Sequence, residues 1–283
     1  MNQESHQENP FTLESARIVR KYNLSQDVRF FQIRFADMEK ALSTKYLPGQ
    51  FMMLSIAGCG EAPFSISSTP SRPGLLEFCI REVGEVTRAL FRLKENSLIG
   101  IRGPYGNGFP LDKIKGQSLI IAVGGLGAAP LRSLLLYALD NRDDFGDVYL
   151  LHGARTPSDM LFRNEFLELR EREDLHCFLA VDEDPTGDWP CYVANLTQLF
   201  EYVKNIDVAS TYAAVCGPPV MYKSAIEELV RLGIQKPRIL ITLERRMRCG
   251  IGKCGHCVVN NIYTCIDGPV FTYWDVINMR GLV

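Results

Sequence analysis

No apolar run in these 283 residues approaches the roughly 18–20 residues that a helix needs to cross a bilayer. Excess charge is missing as well. The chain has 31 Lys plus Arg against 33 Asp plus Glu, a net −2, which argues against a general affinity for nucleic acid or anionic membrane. The first nine residues are polar and hold no apolar signal core, so the chain reads as cytoplasmic. Internal repeats and low-complexity segments are absent. Cysteine is plentiful, but nine is an odd count. With no secretory leader expected, a disulfide framework is a poor explanation, and Cys59, Cys79, Cys177, Cys191 and Cys216 are expected to stay reduced. The length suits two domains plus a small lobe, and 46% hydrophobic with 23% charged residues is ordinary globular composition.

The other four cysteines carry the sharpest signal. Cys249-Gly-Ile-Gly-Lys-Cys254-Gly-His-Cys257 is followed by Cys265. Four residues separate the first pair and two the second, the plant-type [2Fe–2S] ferredoxin spacing. Glycines between them let the backbone wrap closely around inorganic sulfide. A four-cysteine zinc knuckle is the alternative. Cys254 and Cys257 would make a good zinc pair, whereas Cys249 and Cys265 would make a stretched one. His256 lies between ligands and reads as a neighbouring surface histidine, since four thiolates suffice.

The first hundred residues read as all-β, with short runs rich in β-branched and aromatic residues at 16–22, 28–35, 51–56 and 75–83, and one helix at 87–93. Pro48-Gly49, 58–63 and 70–74 punctuate them as turns. The pattern predicts a small closed barrel. After Pro110 it changes. Strands at 118–123, 148–152, 175–181, 212–215 and 238–243 alternate with helices at 129–139, 159–170, 195–203 and 220–232. That alternation predicts a doubly wound parallel sheet. The boundaries read as 10–110, 111–243 and 244–283.

Gly124-Gly125-Leu126-Gly127-Ala128-Ala129-Pro130 lies at the first strand–helix junction of that sheet. Such a turn can aim backbone N–H groups and a helix N-terminus at a pyrophosphate. It lacks the full G-x-G-x-x-G spacing, so a plain tight turn remains open. Cys216-Gly217-Pro218 ends the fourth strand, where open α/β sheets bind ligands. The thiol reads either as exposed at that crevice or as buried before a turn. In the barrel, Pro63-Phe64-Ser65-Ile66-Ser67 offers an aromatic ring and two hydroxyls on a strand. Arg81-Glu82-Val83-Gly84-Glu85-Val86-Thr87 runs into a helix start suited to phosphate. Arg102-Gly103-Pro104-Tyr105-Gly106 reads as a turn.

In this order, the motifs resemble the ferredoxin–NADP⁺ reductase superfamily from about Arg17 to about Trp274. Within it, the chain looks most like electron-transfer subunits with a C-terminal [2Fe–2S] lobe. These are the gamma subunit of soluble nickel–iron (sulf)hydrogenases and the corresponding subunits of anaerobic sulfite reductase and dihydroorotate dehydrogenase. The resemblance implies an antiparallel FAD-binding β-barrel, a parallel-sheet NAD(P)-binding domain and a cluster lobe. It implies that Pro63, Phe64, Ser65, Ile66 and Ser67 contact the isoalloxazine, with Ser65 near flavin N5. Gly84, Val86 and Thr87 would bind the FAD pyrophosphate. Gly124, Gly125, Gly127 and Pro130 would form the dinucleotide turn, and Arg155 would pass beside the cofactor. Cys216, Gly217 and Pro218 would lie near the nicotinamide, and Cys249, Cys254, Cys257 and Cys265 would hold the cluster. The family's flavin-phosphate arginine is replaced by Ala62, so Arg81 or another cation is expected to substitute. The retained Gly84–Thr87 loop favours FAD over FMN.

The implied function is an NAD(P)H-dependent oxidoreductase subunit. The flavin converts a two-electron hydride into single electrons for the cluster. Three modules leave no room for a terminal catalytic domain, so a partner carrying iron–sulfur clusters is expected: a hydrogenase, a sulfite reductase or a heterodisulfide-reductase-type complex. The alternatives are a stand-alone NAD(P)H:ferredoxin reductase and a zinc-dependent interaction module. Asp182 lies after a strand and leans the cofactor towards NADH, while Arg155 leaves NADPH open.

Overall fold

A computed structural model describes residues 9–279. Six antiparallel strands build the N-terminal domain: β1 (Glu14–Asn23), β2 (Val28–Phe35), β3 (Phe51–Ile56), β4 (Gly60–Ser65), β5 (Leu76–Arg81) and β6 (Leu98–Tyr105). Their order is β4-β3-β6-β1-β2-β5, and a bridge between Ile66 and Phe78 joins the two ends into the expected barrel. Alternation in β2 sorts its side chains. Phe31, Ile33 and Phe35 turn inward with Ile18, Leu54 and Ile101. Val28 and Phe30 turn outward and are buried in the core of the second domain. Each such burial contributes about 1.5–3 kcal/mol, so the barrel and its neighbour share an apolar seam.

β6 is not evident from sequence, and β4 extends back through residues 60–63, which read as a turn. β4 contains Pro63, tolerated because β4 has only β3 as a ladder partner along its length. β6 carries Gly100, Gly103 and Pro104, which read as breakers. The region also has two helices rather than one, α1 (Met38–Ser43) and α2 (Glu85–Arg92). Asp37 caps α1 by accepting from the amides of Glu39 and Lys40.

A short helix, α3 (Leu111–Ile114), leads from the barrel into the second domain. Its strands are β7 (Ser118–Gly124), β8 (Val148–Ala154), β9 (His176–Val181), β10 (Tyr192–Val193), β11 (Thr211–Cys216) and β12 (Ile239–Thr242), all parallel. Helices α4 (Ala128–Asp140), α5 (Arg163–Leu169) and α6 (Pro219–Arg231) cover the faces. α5 is shorter than its apolar pattern predicts, and the helix expected at 195–203 is a 3₁₀ segment, Leu196–Tyr202. In β7, Leu119, Ile121 and Val123 pack into one core, and Ile120 and Ala122 into the other. The order β10-β9-β8-β7-β11-β12 reverses direction at β7. The crevice between β7 and β11 is therefore the topological switch point where ligands bind.

The C-terminal lobe holds the hairpin β13 (Val258–Val259) and β14 (Ile262–Tyr263), then β15 (Val270–Thr272) and α7 (Tyr273–Val276). β15 returns to pair antiparallel with β12. The parallel sheet thus gains an antiparallel edge strand that its own sequence does not announce.

Candidate functional site

A cavity of about 120 Å³ opens where the three parts meet. Its wall is drawn from the barrel by Phe51, Pro63, Phe64 and Ser65, and from α4 by Pro130. Thr242, Glu244, Met247 and Pro269 complete it from the β12 end and the lobe. β4 supplies Phe64 and Ser65 to it, whereas Ile66 and Ser67 are fully buried. Ile66 packs in the barrel core. Ser67 offers only its carbonyl, which accepts a 2.8 Å bond from Arg132. These two residues therefore do not line the cavity as the resemblance implies.

Glu244 was not legible as a site residue. It is solvent-accessible through the cavity yet surrounded by protein. Burial holds its carboxyl above the usual range, with the Arg81 charge opposing. Arg81 itself ends β5 in a 3.0 Å ion pair with Asp27, so part of its charge is already matched. Gly84 caps α2 with open space beside it. The Thr87 hydroxyl is buried and accepts from the amides of Val83 and Gly84 at 2.9 and 2.8 Å. Thr87 thus shapes the turn rather than offering its hydroxyl to a phosphate, and the first-turn amides, Val86 included, remain as donors.

At the switch point, Gly127 lies so close to β11 that a Cβ there would stand 2.1 Å from the Cys216 carbonyl oxygen. Gly125 adopts φ +51° with open space around it, a conformation glycine takes without strain. Gly124 and Gly217 both approach Met221 of α6. An adjoining cavity of about 370 Å³ is lined by Gly153, Arg155, Asp182, Thr197 and Met221. Burial raises the Asp182 carboxyl, Glu183 adds to this, and Arg155 opposes it. Cys216 is 3% exposed, and burial pushes its thiol up to about 12. The buried alternative for this thiol is the one the structure adopts. Pro218 precedes α6 as its N-cap.

The four lobe cysteines converge as two pairs. Cys254 donates its amide to Cys249 Sγ at 3.4 Å, and Cys257 and Cys265 pack in one buried cluster. Among the described residues, no three of His, Cys, Asp or Glu converge tightly enough to hold one metal ion. Main-chain amides point at the sulfurs: Gly252 N–H to Cys265 Sγ at 3.1 Å, and those of Lys253 and Cys254 to Cys249 Sγ at 3.3 and 3.4 Å. Gly250, Gly252 and Gly255 take positive φ to turn the loop this way. The His256 amide holds the exposed Cys254 thiol down to about 7, and burial pushes Cys265 up to about 12. Amides aimed at the Cys249 and Cys265 sulfurs fit an anionic cluster.

Phe51 and Met247 link the two places. Both line the cavity beside Ser65, and both pack with Met53, Cys257 and Cys265 in one buried cluster that Tyr105 covers. No sequence signal marks them, because each reads as an ordinary core residue. Across the other seam, Arg132 of α4 bonds Glu77 at 2.7 Å and Glu165 at 2.8 Å, and its guanidinium stacks 4.6 Å from the Phe162 ring centroid.

Three family models match in the same order. They are an oxidoreductase FAD-binding domain over residues 15–109, an oxidoreductase NAD-binding domain over 121–227, and the iron–sulfur cluster binding domain of dihydroorotate dehydrogenase B over 244–277. Sulfhydrogenase 1 subunit gamma of Pyrococcus furiosus is 44% identical, over 98% of this chain and 96% of that one. A probable dihydroorotate dehydrogenase B (NAD(+)) electron transfer subunit of Methanocaldococcus jannaschii is 33% identical, over 80% and 79%. Among solved structures, an NADH-dependent reduced ferredoxin-NADP oxidoreductase studied for flavin-based electron bifurcation superposes with TM-score 0.74. It is 23% identical and covers 96% of this chain and 91% of that one. Phthalate dioxygenase reductase superposes with TM-score 0.62 at 18% identity, covering 80% and 66%. Both likenesses are of fold.

Proposed function

We infer the path of electrons from the chain's family: it belongs to the sulfhydrogenase gamma and dihydroorotate dehydrogenase B electron-transfer subunits, within the ferredoxin–NADP⁺ reductase-like superfamily. It is an NAD(P)H-linked oxidoreductase component with FAD, NAD and iron–sulfur domains. When bound, these groups supply hydride acceptance, its division into single electrons, and one-electron transfer outward. The observation that supports the route is the cavity shared by all three modules, joined to the cysteine pairs through Phe51 and Met247.

The chain's residues have separable tasks in this reading. Phe64 and Ser65 present a ring and a hydroxyl to the isoalloxazine, with Ser65 the hydrogen-bonding group nearest N5. The amides at the start of α2, behind Gly84, take the FAD pyrophosphate, and Arg81 supplies the nearest matching charge. Gly124, Gly125 and Gly127 bring the second dinucleotide against α4, whose Pro130 reaches the flavin cavity. Buried Cys216 acts by packing under the nicotinamide position rather than as a thiolate, since a thiol held near 12 stays protonated at neutral pH. Glu244, the acid facing the cavity, would take up the N5 proton that is released when the reduced flavin gives up its electrons. Asp182 after β9 favours the free ribose hydroxyls of NADH. Cys249, Cys254, Cys257 and Cys265 would hold the iron–sulfur cluster, which would supply one-electron transfer.

The partner is an iron–sulfur enzyme of the hydrogenase class, in keeping with the sulfhydrogenase gamma subunit. Nine free cysteines suit a reducing, cytoplasmic location. The test is anaerobic addition of NADH to the purified chain, followed by absorbance and electron paramagnetic resonance. Flavin bleaching followed by a reduced [2Fe–2S] signal is expected. A colourless, zinc-loaded protein, or bleaching with no cluster signal, would overturn the route. Co-purification at native abundance identifies the partner, and recovery as a monomer fully active with its physiological acceptor would sink the subunit reading.

A further inference from the structure

Arg102 lies on β6, opposite Met53 of β3, in a stretch that reads as a turn. It is 3% exposed. Its guanidinium forms a two-pronged ion pair with Glu61 of β4, with Nε donating to Glu61 Oε2 at 2.8 Å and Nη2 to Oε1. The remaining donors leave the barrel. Nη1 donates to the Cys249 carbonyl at 2.6 Å and to the Tyr105 hydroxyl at 3.1 Å, and Nη2 reaches the Arg248 carbonyl at 3.3 Å. The Tyr105 hydroxyl in turn donates to the Pro10 carbonyl at 2.7 Å. The Phe11 ring lies 5.6 Å from the Arg102 guanidinium and 5.5 Å from the Lys253 ammonium. One buried cation thus ties the flavin barrel and residues 10–11 to the main chain of the first cluster ligand.

We propose that the Arg102–Glu61 pair is a positioning and potential-setting device for the cluster: its cation fixes the Cys249 end of the ligand loop on the barrel, and its anion cancels the charge that the cluster would otherwise feel. This rests on the four cysteines binding a [2Fe–2S] group. Two physical points carry it. A buried guanidinium without its carboxylate is costly, so the pair acts as a unit. Reduction adds one negative charge to the cluster, so a nearby uncompensated cation favours the reduced state and a nearby uncompensated anion disfavours it. Glu61 is tethered to the flavin strand β4, so one pair touches both redox modules.

The test is a redox titration of the cluster signal by electron paramagnetic resonance in the full chain, alongside flavin titration by absorbance. Glu61→Gln leaves the cation and is expected to move the cluster midpoint upward. Arg102→Gln leaves the anion and is expected to move it downward, with the lobe more readily cleaved by protease. The flavin midpoint should shift less than the cluster's in both. A purely structural role moves both variants in the same direction or neither, and either result overturns the proposal. If Arg102→Gln does not fold, Arg102→Lys with Glu61→Gln still decides it. Glu61→Gln without an upward shift overturns the proposal by itself. Absence of any [2Fe–2S] signal in the unaltered protein overturns the cluster assignment instead, a separate result.

Discussion

Arg132 and Ser67 are joined across the domain seam. The Arg132 guanidinium donates a 2.8 Å hydrogen bond to the Ser67 carbonyl, just past the cavity residue Ser65. Ser133, its neighbour on α4, donates to the Ser68 carbonyl at 2.5 Å. The nucleotide helix thereby grips the flavin strand by its main chain.

Removing that grip has two costs. Arg132→Met leaves Glu77 and Glu165 without their shared cation in a mostly buried place. Loss of one partner of a buried charge network costs about 3–5 kcal/mol. The expected outcome is a lowered unfolding midpoint in urea together with FAD loss on dilution. Unchanged stability would mean that the seam is held by its apolar contacts alone.

The cluster and flavin functions should separate by substitution. Cys257→Ser removes a buried sulfur from one pair but none of the cavity wall. Iron and sulfide content should fall to near zero, while NADH-dependent reduction of a two-electron dye persists. Loss of both together would show that the lobe is needed to form the cavity.

The proposed role of Asp182 in nucleotide choice is open to a direct test. A hydrogen bond to a charged group contributes about 1.5–3 kcal/mol. Asp182→Ala should therefore lower kcat/KM for NADH by about tenfold or more, with a smaller change for NADPH. Steady-state rates with both cofactors decide it, and an equal fall for both would remove Asp182 as the discriminator.

His152 gives the fold an acid sensitivity away from the site. It is fully buried on β8, edge-to-face with Phe166 at 4.9 Å, with neither ring nitrogen hydrogen-bonded. Burial lowers it from 6.5 to about 3. The unfolded chain therefore binds a proton that the folded chain refuses. Nothing is lost above about pH 6.5, and stability falls by up to about 1.4 kcal/mol per unit as the pH drops below that. His152→Leu should flatten this part of the stability profile. The same slope in the variant would assign it to other groups.

Thiol reactivity should follow burial in the metal-free chain. Cys254 is exposed and held down to about 7 by the His256 amide, so alkylation there should begin near neutral pH. Cys216, pushed up to about 12, should remain unmodified under the same conditions. Mass mapping after brief iodoacetamide treatment would reveal the order.

The local patterns were readable because local physics produces them. Cysteine spacing along one loop, glycines at a strand–helix turn and alternation of strands with helices involve residues near one another in sequence. They led to the barrel, the parallel sheet and an iron–sulfur region at the C-terminal end. β6 and the start of β4 escaped because Pro63, Gly103 and Pro104 break local strand patterns that only a barrel's ladder can override. Thr87 and Ser67 were read by residue type. The Thr87 hydroxyl is in fact committed to the Gly84 turn three residues away, and the Ser67 carbonyl to Arg132, 65 residues away, a contact that no short window contains.

By itself, the sequence determined the chemistry available: four thiolates in two-iron spacing, a glycine turn for a dinucleotide, and a hydroxyl beside an aromatic ring. Tertiary structure alone decided how these are connected. It placed Phe51 and Met247 between the cavity and Cys257, turned β15 back onto β12, buried Cys216, and sent Arg102 from the barrel to the Cys249 carbonyl. The reason is separation along the chain. Arg102 and Cys249 lie 147 residues apart. Contacts of that range form only when the whole fold closes and water leaves the groups between them.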